Sequence, residues 1–152
     1  MAANHHATLV VIRDKGLLIR GTSGAGKSTL ALALIAAGER LGLFARLVAD
    51  DQVYLEHRHG RLIGSVPQPL RGLVEIPPLG PVPIAFEDRA QVDWVVDLVE
   101  GDTVERMVEE QTVQLNEVHL PLLILPQRST ETTVTPLLKI LGDKVLPGNL
   151  PA

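Results

Sequence analysis

The chain has 152 residues, enough for one domain with a substantial core but not for two. A net charge of −4 and an aromatic content of 3% argue against a general nucleic-acid binder or a base-stacking platform. The absence of cysteine excludes disulfide scaffolds, thiolate zinc sites and cysteine nucleophiles. No apolar run approaches the roughly 18 residues of a membrane helix. The N-terminus, MAANHHATLV, lacks a basic segment followed by an apolar one. A cytoplasmic protein with no membrane and no nucleic-acid partner is expected.

In chain order, residues 7–12 (ATLVVI) predict a strand buried on both faces. Residues 13–16 form a turn, and residues 17–20 (LLIR) a second strand. The Ala- and Leu-rich segment from Lys27 to about Leu41 predicts a helix, stopped by Gly42. Residues 45–49 (ARLVA) give a further strand that closes on two aspartates. Residues 53–56 and 62–65 flank a His57-Arg58-His59-Gly60 turn and predict a hairpin. Six prolines, at 67, 69, 77, 78, 81 and 83, forbid a continuous helix and predict short strands and ordered loops around residues 73–76. Residues 92–99 and 118–125 predict two more strands. A short last helix is expected to begin at Thr135-Pro136, proline standing at the first helical position, and to end at Gly142. Residues 143–152 are expected to be a loose tail. The sum is one mixed α/β domain over residues 1–152, sheet-rich, with one dominant helix near the N-terminus.

Gly21-Thr22-Ser23-Gly24-Ala25-Gly26-Lys27-Ser28 matches the phosphate-loop (Walker A) pattern G-x-x-x-x-G-K-[ST] in full, with a strand before it and a helix after it. The glycines let the backbone wrap phosphate oxygens. The amides point inward and the helix N-terminus adds positive potential. Lys27 would reach the β- and γ-phosphates and the Ser28 hydroxyl would ligate Mg²⁺, with Thr29 completing the loop. Nucleoside triphosphate binding is therefore expected. Asp50 and Asp51 end a strand that follows the first helix. One carboxylate there can hold Mg²⁺. Adjacent carboxylates repel, which suits the other to take a proton as a general base.

The stretches GLLIRGTSGAGKSTLALALIAAG and RLVADDQV resemble the HPr kinase/phosphorylase family. Its members phosphorylate a serine of the phosphocarrier protein HPr, and LVADD soon after the loop helix is the specific part of the likeness. The fold it implies is an α/β, sheet-rich kinase domain containing a phosphate loop, like the catalytic C-terminal domain of that family. By the same resemblance, a short form that begins at this kinase domain is expected. The resemblance makes Asp50 the general base, His6 its neighbour ahead of the first strand, and Asp51 a residue near the metal. Glu75 stands where the family has a Mg²⁺-ligating Glu, although Pro77-Pro78 replaces Arg-Gly. Arg106 holds, by chain order, the place of a family arginine. The implied cofactors are ATP and Mg²⁺, the implied partner is an HPr-like phosphocarrier, and a homo-oligomer is implied as well, since members of the family form hexamers. A family loop tied to dephosphorylation reads Gln127-Arg128-Ser129 here, with one arginine of two and no glycine, so reverse phosphorylase activity is expected to be weak. Two other functions fit the phosphate loop: a small-molecule kinase and a non-catalytic nucleotide sensor. The scattered arginines after residue 60 disfavour the first, and Asp50 disfavours the second.

Overall fold

A computed structural model describes residues 3–104 and 111–142. Arg106 and the tail at 143–152 lie outside the described residues. The strands are β1 (Ala3–His5), β2 (Ala7–Ile12), β3 (Lys15–Gly21), β4 (Ala45–Ala49), β5 (Val53–Arg58), β6 (Arg61–Ser65), β7 (Leu73–Ile76), β8 (Gly80–Pro83), β9 (Arg89–Val99), β10 (Gln111–Leu115) and β11 (Val118–Pro126). The α-helices are α1 (Lys27–Arg40), the single turn α2 (Gly101–Val104) and α3 (Thr130–Gly142).

One large sheet runs β1-β5-β6-β9-β3-β2-β4, with β11 joined to β9 and β10 to β11. The eleven-residue β9 is the spine. Its first residues pair antiparallel with β6, and the remainder lies parallel between β3 and β11. The β5–β6 hairpin thereby folds over one face of the central strands, while α1 and α3 cover the other. Both faces are buried, so all six residues of β2 are buried and the strand reads as a continuous apolar run. Val10, Ile12, Leu17 and Ile19 face the helices and meet Leu30, Leu34 and Leu137. Leu9, Val11 and Leu18 face the hairpin and meet Leu55 and Leu62.

The predicted strands and the first helix are present. The proline-rich stretch holds the β7–β8 hairpin, with a cis Pro77-Pro78 bond in its turn. Four elements differ from expectation. β1, β10 and the single turn α2 are additional. β10 is joined to β11 by Asn116-Glu117, both at positive φ (46° and 67°), the backbone of a two-residue hairpin turn without its usual glycine. The last helix begins at Thr130, not at Thr135-Pro136, and Pro136 lies inside it. The carbonyl of Ser129 accepts from the amides of Thr132 and Thr133 and starts the first turn, with Glu131 favourably placed near the positive helix end. Burial of Leu137 and Leu141 against α1's side of the sheet outweighs the missing proline N–H.

Candidate active site

Strand β3 delivers Gly21 at its C-terminal end, and the loop turns through Gly24 and Gly26, at φ 83° and 95°, into α1. These are left-handed conformations that glycine takes without strain. The Ala25 amide closes an inner turn onto the Thr22 carbonyl at 3.0 Å, and the Ala25 side chain is fully buried beneath the loop. Lys27 is only 6% exposed. Its ammonium is held over the loop, donating to the carbonyls of Gly21 (3.1 Å) and Thr22 (3.3 Å). Ser23, Gly24, Gly26, Ser28 and Thr29 line, with Lys27, one wall of a cleft of about 380 Å³. Asp50, Asp51, Glu75 and Pro77 form the other.

The two aspartates separate sharply. Asp50 is 8% exposed and accepts three hydrogen bonds, from the Ser28 hydroxyl (2.5 Å), the Thr8 hydroxyl (3.2 Å) and the Glu75 amide (3.1 Å). Asp51 takes a left-handed φ of 69°, keeps an exposed side chain, and pairs through Oδ1 with His6 Nε2. The resemblance sets His6 beside Asp50 and Asp51 near the metal; in the structure Asp50 is the one that meets Ser28, and Asp51 the one that meets His6. The cause is a bulge. Leu9 pairs with Ala49 but Val10 pairs with Leu47, so Val48 is an extra residue in β4. Val48 and Ala49 then both pack on the hairpin side, and Asp50 is turned to the face of α1. A one-residue shift in a strand exchanges faces, and bulges commonly re-aim side chains in this way.

Thr8 is a site residue that sequence reasoning missed. It is fully buried, its hydroxyl donates to Asp50, and its oxygen accepts from the Asp51 amide at 3.2 Å. A single hydroxyl in the otherwise apolar ATLVVI was the available signal. Below Gly21, Arg20 grips Asp97 of β9 with two hydrogen bonds of 2.7 and 2.8 Å. Burial, and then the charge of Arg20, push the His5 imidazole below histidine's ordinary range.

The residues present fit Mg²⁺. The ion prefers hard oxygen donors, and it is commonly held by one or two carboxylates together with substrate phosphates rather than by an all-protein cage. The Ser28 hydroxyl and the Asp50 carboxylate already converge, with Glu75 lining the same cleft. No preformed cluster of three acidic or histidine ligands occurs among the described residues, which such a site does not need.

Fold and sequence together define the class: a sheet-rich α/β kinase domain built around a loop of phosphate-binding sequence. The chain belongs to the family described as HPr Serine kinase C-terminal domain, whose family model matches residues 1–137. It is similar to the HPr kinase/phosphorylase of Lactobacillus acidophilus, 32% identical over 133 residues, covering 80% of this chain and 39% of that protein. It is also similar to that of Geobacillus kaustophilus, 34% identical over 135 residues, covering 81% and 42%. The chain therefore spans about two fifths of the length of these curated relatives. Among solved structures it resembles the Hpr(Ser) kinase/phosphatase from Coxiella burnetii, with a TM-score of 0.76 and 26% identity, covering 91% of this chain and 95% of that one.

Proposed function

We propose that this chain is an ATP- and Mg²⁺-dependent protein serine kinase whose acceptor is an HPr-like phosphocarrier. The observation that carries the reading is a cleft in which Ser28, beside Lys27 on the loop wall, meets Asp50 of the facing wall, with Asp51 of that wall paired to His6. The names of the relatives support the acceptor. ATP lays its triphosphate along residues 21–28, where loop amides and Lys27 offset the charge of the transferring group. Mg²⁺, when held by Ser28 and Asp50 with Glu75 beside them, adds further charge neutralisation.

The roles of the two aspartates follow from their surroundings. Asp50 is committed to three donors and the metal side, so neither of its oxygens is left unengaged for an incoming hydroxyl. Asp51 is open to the cleft and oriented by His6, and it takes the proton of the acceptor serine. In the reverse direction the same carboxyl returns it. Arg106 keeps its proposed place as a further cation. A cytoplasmic setting belongs to the same proposal. Among the described residues no helix is long and apolar enough to cross a membrane. A homo-oligomer belongs to the same reading, and the exposed Leu79 and Leu41 are available to such contacts.

The test is transfer from γ-labelled ATP to an HPr-like carrier, with and without Mg²⁺. Metal-dependent phosphoserine on the carrier is expected, together with slow phosphate-driven dephosphorylation of the product. Label on a small-molecule acceptor alone, or ATP binding with no transfer, would favour the small-molecule kinase or the sensor instead.

A further inference from the structure

The segment that follows β11 folds back onto the phosphate loop. The Gln127 amide donates to the Val99 carbonyl at 2.7 Å, at the end of β9, and the Arg128 amide donates to the Ala25 carbonyl at 3.0 Å. The Arg128 guanidinium then donates through Nη1 to the Gly24 carbonyl at 3.3 Å. Two successive peptide groups of the loop are thus held from outside by one residue. Arg128 does this at φ 51°, a left-handed conformation that glycine would adopt without strain, and its side chain is otherwise exposed.

The consequence lies in peptide geometry. In a trans peptide the C=O and the following N–H point in opposite directions. Holding the Ala25 carbonyl outward turns the Gly26 N–H toward the inside of the loop. Holding the Gly24 carbonyl outward keeps the Ala25 N–H on the Thr22 carbonyl, closing the inner turn. A cation on an outward carbonyl also polarises its peptide group. We propose that Arg128 is a positioning residue for the phosphate loop: it braces the outer carbonyls so that the inner amides are pre-aimed at the phosphates before they arrive. This rests on residues 21–28 being the nucleotide's phosphate site. The brace also ties that site to α3, which begins two residues later and packs against α1.

Arg128→Gly separates this role from a merely structural one. Glycine keeps the backbone bond to Ala25, relieves the left-handed strain and removes the side chain, whose one hydrogen bond to the loop is that of the guanidinium to Gly24. The melting temperature of the free protein should hold or rise, while affinity for Mg²⁺–ATP, measured by titration calorimetry, falls about fivefold to tenfold, the worth of one hydrogen bond. Mg²⁺–pyrophosphate, which has no base or ribose, should lose the same factor, and Arg128→Lys should recover part of it. Wild-type affinity in Arg128→Gly would overturn the proposal. So would a loss confined to ATP, which would place Arg128 on the base, or a loss that merely tracks a lowered melting temperature. Lys27→Ala serves as the control. If it abolishes binding while Arg128→Gly binds normally, the brace alone is wrong. If the wild-type protein binds neither ligand, the phosphate-site reading falls and the brace with it.

Discussion

Asp50 and Asp51 are neighbours in the chain, yet one is buried among three donors and the other stands exposed beside His6. That difference assigns them different tests. Asp50→Asn keeps the shape but removes the charge that faces Ser28. It should raise the Mg²⁺ concentration needed for half-maximal turnover about tenfold or more, since even outer-shell partners of a metal are worth about that much. An unchanged Mg²⁺ titration at saturating ATP would contradict the assignment. His5, next in the chain to His6, gives a pH prediction. Its Nε2 is buried and has no hydrogen-bond partner among the described residues, and its pKa is lowered by burial first and Arg20 second. The unfolded chain therefore takes up the proton at a higher pH than the folded one. Stability tied to the neutral ring is present above histidine's ordinary range and is lost as pH falls through it. Between about pH 7.5 and about pH 5.5 the melting temperature should fall less in His5→Gln than in the wild type. An equal fall in both proteins would remove His5 as the cause.

At the scale of elements, period and punctuation carried most of the fold into the sequence. The buried run of β2, the turn at 57–60 and the Ala/Leu helix after Lys27 were all legible because local preference and tertiary burial agree there. The failures lie where they disagree. The β4 bulge leaves no mark in ARLVA, so the turning of Asp50 toward Ser28 was not legible there. β10 was hidden because Asn116-Glu117 makes a glycine-type turn without glycine. Pro136 read as a first helical residue because proline usually stands there, whereas packing of Leu137 and Leu141 carries the helix through it. That packing makes a prediction. Pro136→Ala restores an N–H inside α3 and should stabilise the protein by about 1–3 kcal/mol, read from urea unfolding. A loss of stability would show that the proline ring itself packs productively.

For the molecule as a whole, the central strands form a platform whose C-terminal edge collects the site. β3 brings the phosphate loop, β4 the aspartates, β9 the partner of Arg20, and β11 the segment that braces the loop. Ligands in α/β sheets commonly bind outside these strand ends, and the cleft lies there. The most direct test of the account is single-turnover transfer from γ-labelled ATP to the serine of an HPr-like carrier, at saturating Mg²⁺, by the wild-type protein and by Asp51→Asn. The account predicts labelled phosphoserine with the wild type. With Asp51→Asn it predicts transfer slower by on the order of 10²–10⁴-fold, the usual worth of a general base, with ATP affinity retained. An unlabelled carrier despite bound ATP, or an Asp51→Asn protein that transfers at the wild-type rate, would contradict it.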